Sequence, residues 1–199
     1  MQAITAWVLG EAMAQCARWR DGGRMLAVSV NITTTNLLEE GFTDLVVRLL
    51  QQNNLPGEAL VIEITETSII TDFARSKAVI ERLRDLDIVV SIDDFGAGFT
   101  SLAYLSSLAV GELKLDRTFI TGLSGEGKER DLELVRATIQ LGHDMRLRVV
   151  AEGIEDEDTL KLLNELGCDL AQGYYISRPM PANKLAFMSN ALMLSVGAS

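Results

Sequence analysis

Hydrophobic positions along this chain recur with two periods that alternate from one end to the other. Residues 1–20 place Ile4, Trp7, Val8, Ala12 and Trp19 near one helical face, and Asp21-Gly22-Gly23 stops that helix. An apolar, β-branched run over 25–30 ends at Asn31. A second helix is predicted over 36–52, with Leu37, Leu45, Val46, Leu49 and Leu50 at helical spacing, before Asn53-Asn54-Leu55-Pro56 breaks it. Further strands are predicted over 60–64, 88–92, 112–115, 147–151 and 170–176. Helices are predicted between them over 72–86, 128–145 and 156–166, with a short helical turn over 101–108 and a last helix over 181–194. Six strand–helix alternations, short connections and near-continuous apolar strands predict a parallel sheet built from βα units. There is no internal repeat and no linker, and the loop at 124–127 is glycine-rich with no strand running into it.

Each of the six strands places a polar or charged residue at or near its carboxyl end: Asn31, Glu63, Asp93 with Asp94, Lys114 with Asp116, Glu152 and Gln172. In a (β/α) barrel those ends converge on one face, where active sites lie. Asp93-Asp94 leads into a turn through Gly96 and Gly98 and a helix start at Thr100 and Ser101. Adjacent carboxylates at a strand end are costly unless a cation or several donors meet them. Asn, Glu and Asp offer hard oxygen ligands suited to Mg²⁺ or Mn²⁺, and the lone His143 falls in a predicted helix. Lys114 among carboxylates suits orienting a water or neutralising a phosphate, and Glu152 suits a second metal or a general base. Each residue alone has a structural reading: an Asx turn for Asp93-Asp94, an ion pair for Glu63 or Glu152, a cap for Asn31, a satisfied turn for Gln172. Their recurrence at six strand ends favours a site for metal-assisted phosphoester hydrolysis.

Composition narrows the picture further. The 199 residues suit one domain with a sizeable core, 48% apolar and 23% charged. A formal net charge of −10 argues against a nucleic-acid polymer as partner, though not against a small anion met by a metal and a few placed cations. Cys16 and Cys168 are far apart in sequence and fit buried thiols in a reducing cytoplasm. No apolar run approaches the ~20 residues of a membrane span.

The motifs together resemble one family. Asn31 after its strand, Glu63-Ile64-Thr65-Glu66, the run from Asp93-Asp94-Phe95-Gly96 through Gly98-Phe99-Thr100-Ser101-Leu102, Leu113-Lys114-Leu115-Asp116, Ala151-Glu152-Gly153-Ile154-Glu155 and Gln172-Gly173-Tyr174 occur in the order seen in the EAL domain. That family comprises bacterial phosphodiesterases that linearise the second messenger cyclic di-GMP. The resemblance covers essentially the whole chain to Arg178-Pro179. It implies that Asn31, Glu63 and Asp93 ligate one divalent ion, with Asp94 and Asp116 serving a second, Mg²⁺ or Mn²⁺. It also implies that Lys114 holds the catalytic water, that Glu152 acts as base or metal partner, and that Glu66 anchors the loop over 95–101. Gln172 and Glu155 are implied as supporting groups, and Gly96 and Gly98 as giving the loop backbone freedom.

The family's namesake Glu-Ala-Leu belongs to a strand upstream of the first helix seen here, and it carries a metal-ligating glutamate. The letters Glu58-Ala59-Leu60 do occur in this chain, but between Pro56 and the Glu63 strand. The expectation is therefore a single EAL-type domain over 1–199 lacking its first strands: an α/β, TIM-type (β/α) barrel of about six βα units, incomplete at the N-terminus. Its expected activity is metal-dependent hydrolysis of cyclic di-GMP to linear pGpG in the cytoplasm, and homodimers are frequent in the family. The alternative is a relative without turnover that serves as a cyclic di-GMP receptor or interaction module.

Overall fold

The computed structural model describes residues 3–96, 102–124 and 128–185. The chain divides into two compact units, Met1–Lys114 and Leu115–Ser199.

The first unit opens with helix α1 (Ala3–Asp21), followed by strand β1 (Val28–Asn31). Where one helix was expected over 36–52 there are two, α2 (Thr34–Leu37) and α3 (Phe42–Gln52). Gly41 separates them at φ 82, a left-handed conformation that glycine adopts without the cost a Cβ would bring. A 3₁₀ turn at Gly57–Ala59 leads into β2 (Leu60–Thr65), and α4 (Glu66–Ile70), which no periodicity announced, follows directly. Asp72 caps α5 (Phe73–Arg84) by accepting from the Arg75 amide. β3 (Val89–Phe95) runs three residues past its expected end and so carries both aspartates. A short α6 (Leu102–Leu105) precedes β4 (Glu112–Leu115).

Strands here follow chain order, β1-β2-β3-β4. β1 and β2 are parallel with Asn31 opposite Glu63, and β2 and β3 are parallel with Glu63 opposite Ser91 and Thr65 opposite Asp93. The face α1 buries differs from the one expected. Leu9, Met13 and Cys16, at i, i+4 and i+7, are fully covered and pack toward α3 and β1, while Ile4 and Trp7 are 72% and 66% exposed.

The second unit begins with α7 (Arg117–Thr121), a short helix absent from the sequence reading and capped by Asp116. After it come α8 (Lys128–Asp144), β5 (Arg148–Ala151), α9 (Glu157–Glu165) and β6 (Leu170–Ala171). β5 and β6 are parallel. Leu115, Ile120, Val135, Ile139, Val149, Ile154 and Leu163 form its buried core. β6 holds two residues rather than the expected seven, because residues from Gln172 onward turn back on Ile154. A Cβ at Gly173 would collide with the Ile154 backbone, so glycine permits this close approach. Of the helix expected over 181–194, a 3₁₀ turn at Ala182–Lys184 is described, and 186–194 lie outside the described residues. No helix among the described residues is long and apolar enough to cross a membrane.

Candidate active site

Paired residues of neighbouring strands share a face, and side chains alternate along each strand. The observed register therefore puts Asn31, Glu63, Ser91 and Asp93 on one face of the first unit's sheet. Lys114 of β4 reaches across to them. Its Nζ lies 3.0 Å from Glu63 Oε2 and 3.1 Å from Asp93 Oδ1, and all three side chains are largely withdrawn from solvent. A buried ammonium is tolerable here because two carboxylates face it with charge-assisted hydrogen bonds.

Asp93 Oδ1 also accepts the Asp94 amide at 3.1 Å. That bond accompanies a left-handed backbone at Asp94, φ 55, which turns its exposed side chain out of the strand alternation. Gly96 continues the turn at φ 96, and its amide donates to Glu66 Oε2 at 3.1 Å. Glu66 is 4% exposed, so a buried carboxylate at the start of α4 holds the first residue after β3. Gly98, Phe99, Thr100 and Ser101 lie outside the described residues. Asn31 is exposed at the end of β1.

The remaining candidates belong to the second unit. Asp116 Oδ1 accepts the Thr118 amide at 2.7 Å and so caps α7. Glu152 is half-buried just beyond β5, and its amide donates to the Leu115 carbonyl at 3.4 Å. Glu155 and Gln172 are exposed, and the Gln172 backbone bonds Ala151 and Ile154. Two groups in the first unit escaped the sequence reading. Glu112, 5% exposed, shares the Lys114 side of β4 by alternation, and Ser91 is fully buried on the Glu63 face. For Glu112 the signal was present, a charge at the start of an otherwise apolar strand, whereas a lone serine carries none.

Among the described residues no three of His, Cys, Asp and Glu already stand together as a metal-binding group. Lys114 Nζ sits between the two carboxylates instead. The donor chemistry nevertheless fits a hard divalent ion: two carboxylates and an amide on one sheet face, all oxygen ligands, with no thiolate or imidazole among them.

This arrangement has relatives. The model of the EAL domain matches residues 1–179. The chain belongs to the EAL domain family. Its phosphodiesterases are metal-dependent. The bifunctional diguanylate cyclase/cyclic di-GMP phosphodiesterase MucR of Pseudomonas aeruginosa is 38% identical over 183 residues, which is 92% of this chain and 26% of MucR. The cyclic di-GMP phosphodiesterase NbdA of the same organism is 39% identical over 179 residues, 88% of this chain and 22% of NbdA. The chain thus spans about a quarter of these relatives' length. Among solved structures, the PaMucR phosphodiesterase in complex with c-di-GMP superposes with a TM-score of 0.87 at 38% identity, covering 92% of this chain and 74% of that one. The EAL domain of Mycobacterium smegmatis DcpA gives 0.84 at 35%, covering 91% and 81%. EAL domains are TIM-type (β/α) barrels, so the expected fold class holds.

Proposed function

We propose that this EAL domain hydrolyses cyclic di-GMP to linear pGpG with a divalent ion, Mg²⁺ or Mn²⁺, held by Asn31, Glu63 and Asp93. The observation that carries the reading is the buried Lys114 between Glu63 and Asp93, a cation and two oxygen ligands placed on one sheet face. A bound ion would supply Lewis-acid polarisation of a phosphate oxygen. Lys114, fixed by the two carboxylates, presents its ammonium to the anionic phosphodiester and orients the attacking water by hydrogen bonding. As the water oxygen bonds to phosphorus, one ring P–O bond breaks and the leaving oxygen takes up a proton. Glu152 is assigned as the base that removes a proton from the water, and Asp94 and Asp116 as groups serving a second ion. Glu66 holds Gly96 just beyond β3, and Gly98, Phe99, Thr100 and Ser101 are assigned as ligand-binding residues. Gln172 and Glu155 support the site.

The family membership and the phosphodiesterase relatives support this assignment. A single EAL-type domain in the bacterial cytoplasm, assembling as a homodimer, completes the proposal. Chromatography of the products after incubation with cyclic di-GMP tests it. Linear pGpG appearing only when Mg²⁺ or Mn²⁺ is supplied is the expected result, and bound but intact cyclic di-GMP would replace the enzyme with a receptor.

A further inference from the structure

Ser91 is a polar group on the catalytic face to which the proposed mechanism gives no task. It lies two residues before Asp93 in β3, is 0% exposed, and its Oγ has no hydrogen-bond partner among the described residues. Its partner across the sheet is Glu63, so the serine hydroxyl and the Glu63 carboxylate rise from neighbouring strands, ~4.8 Å apart, on the same face. Asp93 shares that face, while Val90 and Ile92, both 1% exposed, fill the other. The other buried polar atoms without a partner, Asn36 Oδ1 and Ser76 Oγ, lie in α2 and α5. Ser91 is the one among them on the face that carries Glu63, Asp93 and Lys114.

An unpaired buried hydroxyl is unfavourable, and a valine or isoleucine fits a buried strand better. A serine there needs a task. At present Glu63 is oriented by Lys114. An ion held by Glu63 and Asp93 would compete with Lys114 for their oxygens, and Glu63 would then need a second donor to fix its rotamer. We propose that Ser91 is a positioning residue for Glu63, its rotatable hydroxyl donating to the carboxylate and holding it in the ion-binding orientation. The inference rests on the reading of Glu63 and Asp93 as metal ligands. Residues in this position relative to a ligand commonly change metal affinity by ~10–100-fold when removed.

The test is calorimetric titration of the whole chain with Mn²⁺, comparing wild type with Ser91→Ala, Ser91→Cys and Ser91→Thr, with thermal melts of the metal-free proteins alongside. Ser91→Ala and Ser91→Cys are expected to melt at or above the wild-type temperature yet bind Mn²⁺ about tenfold more weakly. Ser91→Thr, which restores the hydroxyl, is expected to recover most of that affinity. Wild-type binding with unchanged affinity in Ser91→Ala and Ser91→Cys would overturn this inference alone. So would a loss that follows a lowered melting temperature or that Ser91→Thr does not recover, since packing would then explain it. Failure of the wild type itself to bind Mn²⁺ would overturn the metal reading and this inference together.

Discussion

Lys114 concentrates the energetics of the site in one side chain. It is 4% exposed and has carboxylate oxygens at 3.0 and 3.1 Å, so its removal leaves Glu63 and Asp93 facing one another without their shared cation. Breaking a buried pair from one side typically costs ~3–5 kcal/mol. Lys114→Met is therefore expected to lower metal-free stability by about that amount in urea unfolding, and Mn²⁺ is expected to restore part of it by binding the native state. The ligands make a separate prediction: Glu63→Ala and Asp93→Ala each abolish Mn²⁺ binding in calorimetry, and unchanged affinity in either would remove that residue from the site. These residues were legible in the sequence because a charge inside an apolar strand has few structural explanations. Their mutual contacts were not, because register and side-chain reach decide which strand ends meet. Ser91 was invisible for the opposite reason, since a small residue disturbs no hydrophobic pattern.

Elements show where periodicity stops being informative. Period identified α1 as a helix, but Ile4, Trp7 and Val8 are as apolar as Leu9 and Met13, so it could not name the buried face. The split between α2 and α3 turns on the φ of Gly41, and the short β6 on the fit of Gly173 against Ile154. The expected helix starts at 72 and 156 fall on the residues that cap α5 and α9. Asp156 accepts the Thr159 amide at 2.7 Å and its hydroxyl at 3.0 Å, and these bonds hold its carboxyl below the usual carboxylate range. A lowered folded-state pKa stabilises the protein above the unfolded value of 3.8, and that stabilisation disappears as pH falls through the folded value. Asp156→Ala is thus expected to lower the melting temperature at neutral pH, with the gap to wild type closing in acid. A gap that stays constant down to pH ~2 would show that the cap bonds do not act through the ionised carboxylate.

At the scale of the molecule, the alternation of strand and helix announced a βα fold, and six strands carry it. Their polar residues lie at or near their ends, as barrel chemistry requires. Because the chain carries a net charge of −10, the proposed anionic dinucleotide would need a few placed cations, and Lys114 is one such cation, set between two carboxylates that would hold a divalent ion. The most direct measurement is the initial rate of cyclic di-GMP hydrolysis by the purified chain in Mn²⁺ and in EDTA, with Lys114→Met measured beside it. Turnover to pGpG in Mn²⁺, abolished by EDTA and lowered at least ~100-fold by Lys114→Met, is the predicted result. Hydrolysis that persists in EDTA, or that survives the loss of Lys114, would contradict the assignment of this cluster as the catalytic centre.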